Sequence, residues 1–336
     1  MKTIIIGLNW LGDIVMSLPT IAAAVAAGNV HVVTRPHLTD AYKISGLPLA
    51  IHPVETDANP FTVISQLKPL RSLEADLVIV LPDSLRAAFV ARCCFGSHSV
   101  GFAAQLRSFL LDEAVTKPAN YQQLHEADLY FMLGQAAGLP AQQRPALPRT
   151  SFSDNFIKRL KSRLNLESDF LVIAPGAAFG AAKRWPPARF SALVSLLVEK
   201  YALPVVVTGS ASEQSITAEI CRAAPQKTID AAGKTSLPEL ACLLSCARGL
   251  ISNDSGTMHL AAPFAIPTVV PVGPTDMQRT GPLNPNFIAV SQHGVCPQAP
   301  CRQKTCPRGD HLCMESITPE AVLEALNKLL RNSDGT

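Results

Sequence analysis

Short runs of aliphatic and β-branched residues alternate with longer amphipathic stretches along nearly the whole chain. Segments such as 77–81 (LVIVL) and 170–175 (FLVIAP) are apolar without internal alternation, which suits strands covered on both faces. Strands of this kind, joined through helices, build parallel sheets from βαβ units. In the first half, strands are expected at 3–7, 30–34, 77–81 and 99–102, and helices at 13–27, 61–73 and 84–94. Residues 139–154 (LPAQQRPALPRTSFSD) are polar and rich in proline, and read as a linker. Beyond it, strands are expected at 170–175, 203–208, 228–230, 249–253 and 268–272, and helices at 187–201, 212–223, 236–246 and 256–263. The pattern therefore predicts two α/β domains facing each other across a cleft, 1–150 and 151–318. A C-terminal segment, 319–336, carries a last helix expected to pack back toward the first domain.

Bulk properties remove several classes of function. With 336 residues, 48% hydrophobic and 16% charged, each domain can bury a substantial core. A net charge of +3 and the absence of any Lys/Arg run argue against nucleic acid as a partner. No stretch reaches the roughly 18–20 apolar residues that a membrane span requires. The opening MKTIIIGLNWLGD reads as a buried first strand, not a signal peptide, because Gly7 and Asn9 break the apolar run early. Nine scattered cysteines suit reduced thiols in the cytoplasm better than a disulfide scaffold.

Ligands of open parallel sheets bind beyond the carboxyl ends of the strands, so the loops after residues 6, 81, 174, 208, 253 and 272 are where chemistry is expected. The first, GLNWLGD, lacks the G-x-G-x-x-G spacing of a dinucleotide fold and carries an acid, Asp13, directly after its second glycine. Asp13 reads either as a helix N-cap or as a base for a hydroxyl, since a carboxylate there would repel phosphate. In PGAAFGAAKRWPPARF (175–190), Gly176 and Gly180 loosen the backbone while Lys183 and Arg184 bring cations that suit phosphate. In SNDSGTMHLAA (252–262), Asp254, Ser255, Gly256 and Thr257 open a helix whose first amides and hydroxyls suit phosphate oxygens, with His259 one turn in.

Further candidates are less specific. Thr275 and Arg279 lie in a Gly/Pro loop, and Glu213 reads as a first-turn helix acid or as a hydroxyl acceptor. Residues 84–111 contain Arg86, Arg92, Arg107 and His98 but no acid, which is either a surface for an anionic acceptor or a solvated face. Cys296, Cys301, Cys306 and Cys313 fall within one short loop. They read as a structural group, with or without a metal, because their intervals are not the C-x₂-C pairs of ordinary zinc sites. No D-x-D triplet exists to chelate a divalent ion on a diphosphate.

In order, GLNWLGDIVMSLPTI, LPDSLRAAFVA, PGAAFGAAKRWP and SNDSGTMHLAA resemble the motifs of the ADP-heptose:lipopolysaccharide heptosyltransferases, over essentially the full length. The cysteine cluster is similar to the heptosyltransferase II branch. The resemblance implies a GT-B fold of two Rossmann-like domains: an N-terminal acceptor-binding domain and a C-terminal nucleotide-sugar-binding domain. It implies an inverting, metal-independent transfer from ADP-heptose with no cofactor, and Asp13 as general base. Lys183 would contact the diphosphate, while Gly176, Glu213, Asp254, Ser255, Gly256, Thr257 and His259 would bind the donor. Asn9, Trp10, Gly12, Arg86 and Arg107 would face the acceptor, a lipid-linked heptosyl-Kdo₂-lipid A, with the enzyme peripheral at the cytoplasmic face of the inner membrane. The same donor acting on a first- or third-heptose acceptor is the nearest alternative. A nicotinamide oxidoreductase or a non-catalytic sugar-nucleotide binder lies farther off, the former disfavoured by the missing G-x-G-x-x-G.

Overall fold

The structure, a computed structural model, describes residues 1–94 and 98–334. The chain divides into two compact units, Met1–Thr150 and Ser151–Thr336. In the first, β1 (Lys2–Ile6), β2 (Asn29–Thr34), β3 (Leu49–Pro53), β4 (Leu77–Val80), β5 (Ser99–Phe102) and β6 (Glu113–Val115) form one parallel sheet, ordered β3-β2-β1-β4-β5-β6. In the second, β7 (Leu171–Ala174), β8 (Val205–Val207), β9 (Thr228–Asp230), β10 (Gly249–Ser252), β11 (Thr268–Val272) and β12 (Phe287–Ser291) form another, ordered β12-β11-β10-β7-β8-β9. Counted from each unit's own first strand, the two orders are identical. In each sheet the order of strand addition reverses between its first and fourth strands, β1 and β4 or β7 and β10, and the crevice outside their carboxyl ends is the place for a ligand.

Central strands such as β4, β7 and β10 are buried at every position, as their continuous apolar runs require. Three strands absent from the sequence reading, β3, β6 and β12, are all sheet edges with half-buried or exposed positions. An edge strand is covered on one side only and needs no unbroken apolar run. The two longest helices not expected from the pattern, Glu126–Ala136 and Asp154–Arg163, complete the first unit and open the second. Ser153 caps the latter by accepting from the Phe156 amide at 3.3 Å.

The last helix, Pro319–Asp334, belongs to the second unit's core. Its apolar face, with Val322, Ala325, Leu326, Leu329 and Leu330, is buried in the second unit's core with Trp185, Phe190, Leu193 and Val269. That stripe is spent on closing the second unit's own core.

Candidate functional site

Both crevices hold candidate residues. In the first unit, the chain leaves β1 at Gly7, and a Cβ there would overlap the Tyr42 hydroxyl. Tyr42 accepts from the Leu8 amide at 3.0 Å, so this glycine admits a phenol that pins the loop instead of a pyrophosphate. The following helix, Leu11–Ala27, begins two residues earlier than expected, and its N-cap position is Trp10. Asp13 is therefore not a cap. It stands in the first turn, where the helix macrodipole favours the carboxylate.

Asp13 lines a pocket of about 240 Å³ with Leu8, Asn9 and Trp10 from the loop after β1, and Leu81, Pro82 and Asp83 from the loop after β4. Phe102, Lys117, Glu126, Leu129 and Tyr130 close it. Burial first, and the nearby Asp13 carboxylate second, push the Tyr130 hydroxyl well above its ordinary range, so it stays a neutral donor at the pocket wall. The Lys117 ammonium lies 2.5 Å from Asp83, with the rings of Phe102 and Tyr121 at 5.1 and 5.4 Å. Lys117, Asp83, Glu126 and Tyr130 carry no sequence signal of their own. They reach Asp13 only through the order of the strands.

Three expected acceptor residues stand elsewhere. Arg107 has no exposed surface, and its guanidinium donates to the carbonyls of Phe102 (2.9 Å), Pro82 and Ser84. Arg86 donates to the carbonyls of Thr56 at 2.6 Å and Ala58 at 2.7 Å. Both arginines brace loops; neither lines the pocket. Gly12 is the second residue of the helix and is not among the residues that line the pocket.

In the second unit, Asn253 at the end of β10 is fully buried. Its amide nitrogen donates to the Pro175 carbonyl at 2.6 Å, and its amide oxygen accepts from the Trp185 backbone at 3.0 Å. One side chain thus clasps both ends of the 175–185 loop. Trp185 is buried, donates from Nε1 to the Ile317 carbonyl at 3.1 Å and packs edge-on against Phe190. Held this way, the loop presents Lys183 to Asp254, Nζ to Oδ2 at 2.7 Å, and Thr275 donates to the same oxygen at 2.6 Å.

Asp254 is therefore not a cap either; the N-cap position of the helix Gly256–Ala261 is Ser255. Asp254 anchors Lys183 in a nearly buried ion pair, its side chain 6% exposed against 13% for the lysine. Ser255, Gly256 and Thr257 are half-buried at that helix start, and His259 is buried behind them. The Lys183 ammonium also lies 4.8 Å from the Phe179 ring, with Lys304 5.5 Å from the same ring.

Glu213 accepts from the Ser210 amide at 2.7 Å and from its hydroxyl at 2.8 Å, and a Cβ at Gly176 would overlap its carboxylate. The pair explains the glycine: only hydrogen fits where the acid leans on the β7 loop. Asn253, Thr275, Glu213 and Gly176 thus converge with Lys183 on the carboxyl ends of β7 to β11.

The four clustered cysteines follow β12. Cys296 and Cys313 are buried in the second core, while Cys301 and Cys306 are half-exposed. Burial, and then the three neighbouring cysteines, push the Cys313 thiol up. Among the described residues, no three His, Cys, Asp or Glu side chains are grouped to hold a metal ion, and the loop's two buried cysteines pack into the second core. Its backbone also supports the lysine loop, because the Lys304 carbonyl accepts from the Ala182 amide at 3.1 Å.

Comparison with known proteins gives a consistent result. Residues 63–311 match the family described as glycosyltransferase family 9 (heptosyltransferase). The chain is 29% identical to lipooligosaccharide heptosyltransferase 2 of Haemophilus influenzae, across 98% of this chain and 99% of that one. It is 28% identical to lipopolysaccharide heptosyltransferase 2 of Escherichia coli, with the same coverage. The solved structure of E. coli ADP-heptose lps heptosyltransferase II superposes with a TM-score of 0.83 at 26% identity, covering 99% of this chain and 100% of that one.

Proposed function

The chain belongs to glycosyltransferase family 9, the heptosyltransferases, with the GT-B fold, and from that membership we propose a specific reaction. The enzyme moves an L-glycero-D-manno-heptosyl group from ADP-heptose to the first heptose of the lipopolysaccharide inner core, the reaction of heptosyltransferase II. The names of the full-length relatives support this acceptor over the first- or third-heptose alternatives. The first unit takes the acceptor, a lipid-linked heptosyl-Kdo₂-lipid A, and the second takes the donor. The protein works at the cytoplasmic face of the inner membrane as a peripheral enzyme; among the described residues no helix is long and apolar enough to cross a bilayer.

Asp13 removes the proton from the attacking heptose hydroxyl, and that oxygen displaces ADP from the anomeric carbon in one inverting step. Charge growing on the leaving diphosphate is met by Lys183 and by the amides at Ser255–Gly256–Thr257. With no D-x-D triplet in the chain, this neutralisation does not rely on clustered carboxylates holding a cation. Before the donor arrives Asp254 holds the Lys183 ammonium in place; on binding, the lysine exchanges that partner for phosphate oxygens. Glu213, fixed by Ser210, accepts hydroxyls of the nucleotide sugar. Asn9 and Trp10 contact the acceptor beside the base.

The observation that carries this reading is Asp13 opening into a pocket at the first unit's switch point while Lys183 and Asp254 occupy the equivalent point of the second. The test is ADP release from ADP-heptose with Kdo₂-lipid A or with its mono-heptosylated form, alongside Asp13→Asn. Turnover confined to the mono-heptosylated acceptor and lost in the variant is expected. Turnover on Kdo₂-lipid A alone would move the protein to the first-heptose reaction, and full activity of the variant would remove Asp13 as base.

A further inference from the structure

The first unit leaves large apolar side chains in water at the same rim that holds the Asp13 pocket. Phe61 is 85% exposed, Leu106 91%, Phe109 77% and Leu85 45%. Phe61 and Leu85 open the helices that follow β3 and β4, and Leu106 and Phe109 lie in the connection after β5, all at the carboxyl end of the sheet. Isolated exposed apolar residues need no explanation, but several on one rim do.

These tips are held in place. Arg86 ties the loop before Phe61 to the residue next to Leu85 through the Thr56 and Ala58 carbonyls. Buried Arg107 ties the loop before Leu85 to the one bearing Leu106 and Phe109 through Pro82, Ser84 and Phe102. Gln105 and Leu106 both adopt positive φ, 45° and 55°, a conformation that costs a non-glycine residue free energy. Here that conformation carries a leucine into solvent.

We propose that Phe61, Leu85, Leu106 and Phe109 are the membrane-docking surface of this enzyme and insert into the headgroup–acyl boundary of an anionic bilayer. The proposal rests on the acceptor reading above and names the surface that delivers a lipid-linked sugar to Asp13. Two features favour lipid over a protein partner. The apolar groups are separate protruding tips, which a fluid boundary accommodates, whereas a stable protein interface needs a continuous, shape-matched patch. Residues 84–111, which bear three of the four tips, contain no acid, and the exposed Asp57 on the loop before Phe61 is paired with both Arg35 and Arg86. The rim is also continuous with the pocket: residues 81–83 line it and Leu85 follows two residues later.

The experiment uses the full chain and a variant carrying Phe61→Ser, Leu106→Ser and Phe109→Ser. All three side chains are solvent-exposed and outside the pocket, so the fold and the chemistry should be retained. Co-sedimentation with vesicles of phosphatidylethanolamine and phosphatidylglycerol should show binding by the native chain that falls by about tenfold or more in the variant. Turnover on an acyl-free heptosylated acceptor should stay unchanged, while turnover on the same acceptor embedded in vesicles drops. Tip-dependent vesicle binding without turnover on either acceptor would support this surface and overturn only the acceptor assignment. Equal vesicle binding by both proteins would overturn the proposal. So would a native dimer in sedimentation that the variant converts to monomer without any vesicle binding, because the tips would then be a contact between copies.

Discussion

Asp254 and Asp13 both stand at helix starts, where carboxylates commonly cap, and neither caps. Asp254 is taken by Lys183 and Thr275 in a nearly buried pair. Removing one partner of such a pair costs about 3–5 kcal/mol, whereas an exposed pair contributes below about 1 kcal/mol. Asp254→Asn should therefore lower the second unit's melting temperature and raise KM for ADP-heptose, because the lysine loses its anchor; an unchanged KM would refute that role. Asp13→Asn should behave differently. It makes no cap, so stability changes by about 1 kcal/mol or less, while kcat falls about 10²–10⁴-fold with donor affinity intact. Single-turnover kinetics together with donor titration would separate the two effects. Gly176→Ala forces the Glu213 carboxylate off the β7 loop, and the expected readout is a higher donor KM with acceptor KM unchanged.

At the scale of elements, the edges of the sheets behave differently from their centres. His31 on β2 stacks on His52 of edge strand β3, with ring centroids 5.2 Å apart and Nδ1 3.0 Å from Nε2. Burial, reinforced by Lys2 for the first and by His31 for the second, holds both imidazoles below the ordinary 6.5. The unfolded chain therefore takes up protons first on acidification. The stability these neutral rings contribute is complete above about pH 6.5 and is lost as pH falls through the folded-state values. Urea midpoints at about pH 8 and pH 5 should differ in that direction, and His52→Gln should flatten the dependence. A second element-scale contact joins the cysteine loop to the lysine loop. A Cβ at Gly180 would overlap the Lys304 carbonyl, so Gly180→Ala should part the two loops and weaken ADP binding in calorimetric titration.

Across the whole molecule, two cores of the same strand order imply two separable stability problems. Leu326, fully buried on the last helix, belongs to the second core. Leu326→Ala should cost about 2–5 kcal/mol and shift one calorimetric transition while leaving the first unit's unchanged. A single transition moving as a whole would contradict independent cores.

The sequence by itself determined the repeated βαβ alternation, the central strands and most helices, because strands covered on both faces must be continuously apolar and helices must be amphipathic. It also exposed Asp13, Lys183 and the N-D-S-G segment, since strand-end loops with unusual residues stand out locally. Tertiary structure alone decided what those residues touch. Arg107 reads as a surface cation in sequence but is buried as a loop brace, Lys117 and Tyr130 have no local signature at all, and nothing local shows that Asn253 will clasp the 175–185 loop. Their positions follow from pairing β1 with β4 and β7 with β10 across long stretches of chain. Sequence periodicity reports which face of an element is buried; it carries no record of which distant loop will arrive beside it.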